Sequence, residues 1–109
     1  MAYRDYKFTH LAKIDIEQAI EYIINEFGNK RAAKQLYDGV LKTIEKIRLF
    51  PESYELVDNL LIKNNKVLRA LVKKYALFYL YDETNSLIVI LRFVYGKRSL
   101  IELLEKVSL

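Results

Sequence analysis

Apolar residues recur along this chain with two different periods, and the change of period divides it. Between Thr9 and Leu49 the spacing is helical. Ile16, Ile20, Ile23 and Phe27 fall at steps of four, three and four, which is one stripe of an amphipathic helix, and Glu17, Glu21 and Glu26 take its other face. Thr9 is placed to cap the start of this helix. Gly28-Asn29 ends it, Gly by supplying a left-handed residue and Asn by capping the next helix. That second helix is predicted from about Lys30 to Leu49, with Ala33, Leu36, Val40, Ile44 and Ile47 as its stripe and Phe50-Pro51 as its stop. Gly39 lies inside it at a helix-propensity cost of about 1 kcal/mol relative to Ala, which points to a close contact there. So short a joint makes the two helices an antiparallel hairpin.

Elsewhere the signals are those of strands. Residues 2–8 suit a short first strand, with aromatic side chains well placed for a pleated surface. Residues 52–65 read as a loop or irregular segment. From Val67 to Lys74 the chain alternates, with Leu68, Ala70 and Val72 on one face and Arg69, Leu71 and Lys73 on the other. Residues 75–81 are aromatic-rich and read as a central strand. Residues 82–86 are a polar turn, and residues 87–95 are β-branched and aromatic, so these two strands form an antiparallel hairpin. Gly96-Lys97-Arg98 breaks the last strand. Ser99 with Glu102 forms a capping box that starts a short C-terminal helix through about Val107.

The predicted order is β-α-α-β-β-β with a short terminal helix, in one domain over residues 1–109. A helical hairpin covering one face of a mostly antiparallel sheet is an α+β sandwich of two layers. The other sheet face is then expected to be open and to carry the basic residues.

Composition narrows the chemistry. The chain has no Cys and one His, His10, so disulfides, Cys-bound zinc, thiol catalysis and His-based metal sites are excluded. No metal or other cofactor is expected. No apolar run approaches the roughly 18 residues of a membrane span, and the N-terminal residues are mixed in charge, so a cytoplasmic protein without membrane partners is expected. The net charge of +4 is unevenly spread. Residues 1–60 hold nine basic and ten acidic side chains, and residues 61–109 hold nine basic and four acidic. Such a field attracts phosphate backbones or an acidic protein segment; equally, it is an ordinary solvated face.

Several residues in the basic half stand out. Arg92 interrupts an apolar strand, where Ile88, Ile90, Arg92 and Val94 are expected on one face, and Arg69 lies beside Leu71. Each Arg either clamps an anion through its planar fork or is neutralised by a nearby acid at a sheet edge. Tyr75, Tyr79, Tyr81 and Tyr95 lie among these cations, where they would either stack on unpaired bases or fill strand positions, Tyr79 as part of the core. Lys97 and Arg98 sit where a strand ends and a helix begins, a place suited to an anion. No carboxylate pair or Gly-rich phosphate loop is present. Cleavage, if any, would be metal-free, with Arg, Lys and Tyr activating a 2′-hydroxyl and stabilising a phosphorane, which suits RNA and not DNA.

Nearly the whole chain resembles the RelE/ParE superfamily of type II toxin–antitoxin toxins. The matching segments, in order, are Ala12 to Ile24 with Asp15 and Tyr22-Ile23; Phe27-Gly28-Asn29 followed by Ala32-Ala33, Leu36, Ile44, Ile47 and Phe50-Pro51; Arg69 to Val72; Tyr75 to Tyr79; and Ile90 to Arg98. The resemblance implies a protein that arrests growth when free. It also implies a cognate antitoxin with a partly disordered acidic or amphipathic segment, and contact with operator DNA through that antitoxin.

The superfamily divides by target. Its ribosome-dependent mRNA-cleaving branch typically has an Arg after the central-strand Tyr, where this chain has Ala76, and often a Tyr or His near the C-terminus, where this chain has Lys106-Val107-Ser108-Leu109. In that reading Arg69, Lys73, Tyr95 and Arg98 would be catalytic. The DNA gyrase-inhibiting branch has a long helical hairpin, an Arg at the Arg69 position, an aromatic before a Phe-Tyr run as in Tyr75 to Tyr79, and an Arg three residues before an aromatic as in Arg92 and Tyr95. The chain fits this second pattern better, with Arg69, Tyr75, Arg92, Tyr95, Lys97 and Arg98 as target- or nucleic-acid-binding residues.

Overall fold

The computed structural model describes residues 3–96. The order is β1 (Asp5–Phe8), α1 (His10–Phe27), α2 (Lys30–Leu49), β2 (Glu55–Ile62), β3 (Asn65–Val72), β4 (Tyr75–Asp82) and β5 (Leu87–Tyr95). The five strands form one sheet in the order β1-β5-β4-β3-β2. Only the β1–β5 pair in it is parallel, and both helices cover the same face. The expected C-terminal helix, with Lys97 and Arg98 before it, lies outside the described residues.

The helical hairpin forms where its caps predict. Thr9 Oγ1 accepts from the Ala12 amide at 3.1 Å and donates to the Leu91 carbonyl at 2.7 Å, so the cap of α1 is also a tie to β5. Gly28 ends α1 in the left-handed region, φ 57°, and its amide reaches the Ile24 carbonyl. Asn29 Oδ1 caps α2 through the Ala32 amide. Gly39 lets α2 approach β3: a Cβ there would stand 3.2 Å from Val72 Cγ1. The main core lies between the hairpin and the sheet, with Ile16, Leu36, Val40 and Ile44 against Leu68, Leu77, Tyr79 and Ile90. The Tyr79 hydroxyl donates to the Pro51 carbonyl at 2.6 Å, which satisfies it within the core.

Four expectations are corrected. Residues 52–65 are largely strand. β2 pairs with β3 in the registers Glu55↔Arg69 and Ile62↔Asn65, but the register shifts between Leu56 and Leu61, which blurs the alternation that marks a strand. Lys63 and Asn64, both at positive φ, turn the chain between β2 and β3.

Lys73, at φ 56°, belongs to the turn between β3 and β4 and not to a strand face.

In β5 the register shifts between the Phe78↔Arg92 and Tyr79↔Ile90 pairs. Ile88, Ile90 and Phe93 therefore face the helices, while Val89, Leu91 and Val94 face away, and Arg92 does not continue the Ile88–Ile90 face.

Finally, the sheet face away from the helices is not a basic surface. It carries a second apolar cluster of Val67, Ala76, Phe78, Leu80, Val89, Leu91 and Val94, all buried. Near-continuous apolar strands such as β4 predict burial on both faces.

Candidate functional site

The end of the sheet next to the helix–helix joint forms a groove of about 730 Å³. Tyr22, Ile23 and Phe27 of α1 and Ala32, Gln35 and Leu36 of α2 line one side, and Lys73, Lys74, Tyr75 and Tyr95 line the other. Local structure explains each placement. The β3–β4 turn puts Lys73 and Lys74 at its exposed tip. Tyr75 opens β4 directly opposite Tyr95, which closes β5, and the Gly96 amide donates to the Lys74 carbonyl across them. Phe27 is the last residue of α1. The chain turns at Gly28, so the Phe27 ring is left 67% exposed and is not part of the core its stripe position predicts.

The rings hold one another. Tyr75 stacks on Phe93 at 4.7 Å with planes 6° apart, and Tyr95 meets Tyr75 edge-on at 5.3 Å. Tyr22 meets Phe27 edge-on at 5.6 Å. Burial raises the Tyr75 phenol above its ordinary pKa, and Tyr95 and Tyr22 add to the shift. Tyr75 is thus neutral at physiological pH and a poor general base. The groove is an aromatic and aliphatic surface with two lysines at its rim, and none of the described residues that line it carries a carboxylate.

Of the residues singled out by sequence, the structure brings Lys73, Tyr75 and Tyr95 together here. It does not bring Arg69 or Arg92 to them. Arg69 projects from the opposite sheet face, the one shared by Val67, and its Nη2 contacts both Glu55 carboxylate oxygens at 2.7 Å across the β2–β3 pair. Arg92 is bound by Asp15 of α1: its Nε donates to Oδ2 at 2.6 Å and its Nη2 to Oδ1 at 2.9 Å. The same carboxylate accepts the Phe93 amide at 3.0 Å. β1 pairs β5 only as far as Ile90, so Asp15 meets the β5 backbone beyond the last β1 pair. Lys97 and Arg98 lie outside the described residues.

The sequence does not mark Tyr22, Phe27 or Lys74 as site residues. Phe27 falls in a helical stripe and Tyr22 in a segment that carries the family resemblance, and neither points to the groove until α1 is seen to end beside the β3–β4 turn. Among the described residues no group of His, Asp and Glu is arranged to hold a metal ion, and no helix is long and apolar enough to cross a membrane.

Comparison with known proteins gives the family. No curated protein matches the chain. A family model described as the ParE toxin of the type II toxin–antitoxin system, parDE, matches residues 6–100, which takes in the described elements from the second residue of β1 onward and the whole groove. With the helical hairpin, the mostly antiparallel sheet and this match in agreement, the chain belongs to the ParE toxin family of type II toxin–antitoxin systems.

Proposed function

We propose that this toxin arrests growth by inhibiting DNA gyrase, as a cytoplasmic protein held in check by its cognate antitoxin. The observation that carries this reading is the separation of Arg69 from Lys73 and Tyr95 within the candidate catalytic set. A metal-free ribonuclease needs Arg, Lys and Tyr converging on one phosphate and its 2′-hydroxyl. Lys73 and Tyr95 share the groove, but Arg69 is on the other sheet face in a two-oxygen contact with Glu55. The remaining member, Arg98, lies outside the described residues. The groove itself supplies aromatic and aliphatic area with a charged rim, the composition of a protein-binding surface.

The alternative is ribosome-dependent mRNA cleavage by Arg69, Lys73, Tyr95 and Arg98. A pulse of toxin expression in a bacterial host separates the two. Following labelled thymidine and labelled methionine over the first minutes, the gyrase reading expects thymidine incorporation to fail first. If methionine incorporation fails first, the alternative holds.

A further inference from the structure

We infer that the groove at the helix–helix joint receives a short acidic segment of gyrase that carries an apolar anchor side chain. This rests on the gyrase reading above and adds the chemistry of the contact. The floor is aliphatic, from Ile23 and Leu36, and the walls are the exposed rings of Tyr22, Phe27 and Tyr95. Tyrosine-lined pockets of this kind are where interfaces concentrate their binding energy. The volume of about 730 Å³ is in the range of clefts that enclose a drug-sized group, so one or two side chains fit.

The charge selects the occupant. Lys73 and Lys74 are both exposed at the rim, and none of the described lining residues is acidic. Among the described residues, an incoming carboxylate therefore meets two cations and no like charge. Of the candidate phosphate-gripping arginines, the two among the described residues are engaged elsewhere, Arg69 by Glu55 and Arg92 by Asp15. Two flexible lysines beside a largely apolar cleft suit a carboxylate next to a buried anchor better than a run of phosphates.

The test compares wild-type protein with K73Q/K74Q, K73E/K74E and Phe27→Ser in supercoiling by purified gyrase, with binding to the immobilised gyrase subunits measured alongside. All three changes are at exposed positions, and thermal melting checks that each variant is folded. The expected result is a graded loss. The half-inhibitory concentration rises about fivefold for the neutral pair, at least about tenfold for the reversed pair, and comparably for Phe27→Ser. Wild type that inhibits supercoiling while all three variants match it would overturn the inference and leave the gyrase reading standing. So would loss in Phe27→Ser with none in either lysine pair, which removes the acidic partner. Tight binding of an oligothymidylate that K73E/K74E abolishes, with gyrase binding intact, assigns the groove to nucleic acid and also overturns it. Wild type without effect on supercoiling removes the gyrase reading itself, and this inference with it.

Discussion

Asp15 and Arg92 form a two-pronged ion pair between α1 and β5, with both side chains only 11% exposed, and the same carboxylate accepts the Phe93 amide. The pair fastens the first helix to the sheet just beyond the end of β1. An enclosed charge left without its partner is strongly destabilising, typically by about 3–5 kcal/mol. Asp15→Ala is therefore expected to lower unfolding free energy by an amount in that range in urea titration, with an unchanged m-value. A loss below about 1 kcal/mol would mean that Arg92 is not held by Asp15 in solution.

Phe27 separates packing from binding. It occupies a core position in the helical stripe, yet its ring is largely exposed in the groove. Phe27→Ser should change stability by no more than about 0.5 kcal/mol, the usual range for surface sites. Growth arrest by the variant should nonetheless weaken. A large drop in melting temperature would return Phe27 to the core and remove it from the site.

Tyr79 gives the stability profile an alkaline limit. Burial raises its phenol well above the ordinary tyrosine value, with Tyr54 and Glu52 adding to the shift. The folded state thus keeps a proton that the unfolded chain releases near pH 10. The sign follows: the stability from protonated Tyr79 is fully present below about pH 10 and is lost progressively as pH rises above it. Tyr79→Phe should flatten part of that alkaline fall. It should also cost about 1 kcal/mol at neutral pH, because the Pro51 carbonyl loses its donor. An unchanged alkaline limb in the variant would rule out Tyr79 as its source.

Gly39 tests the seat of α2 on β3. With Val72 Cγ1 only 3.2 Å from the place of a Cβ, Gly39→Leu should destabilise by about 1–3 kcal/mol through overpacking. Chemical denaturation measures this. A stability gain would mean that α2 stands further from the sheet.

The elements that local chemistry controls were legible in the sequence. Thr9, Gly28 and Asn29 act as the caps their types predict, and Gly39 marks a close contact. What was not legible depends on pairing between distant segments. The β2 strand was hidden by its shifted register against β3. The reorientation of Arg92 came from the irregularity in β5, which no alternation count detects. The second apolar face follows from β4 being apolar at almost every position, a pattern that favours burial on both sides over a basic face.

Site residues divided along the same line. Lys73, Tyr75 and Tyr95 meet because turn and strand ends coincide, and the first two are near neighbours in sequence. The carboxylate partners of the two arginines lie 14 and 77 residues away, so the spacing of the basic residues could not reveal them.

The proposed target is gyrase, for a protein whose Arg69 stands apart from Lys73 and Tyr95. The most direct measurement places purified toxin with purified gyrase, relaxed plasmid and ATP, and in parallel with mRNA on translating ribosomes. Supercoiling is expected to stop while the mRNA remains intact. Full supercoiling at a large molar excess of toxin, with the mRNA cut on the ribosome, would contradict it.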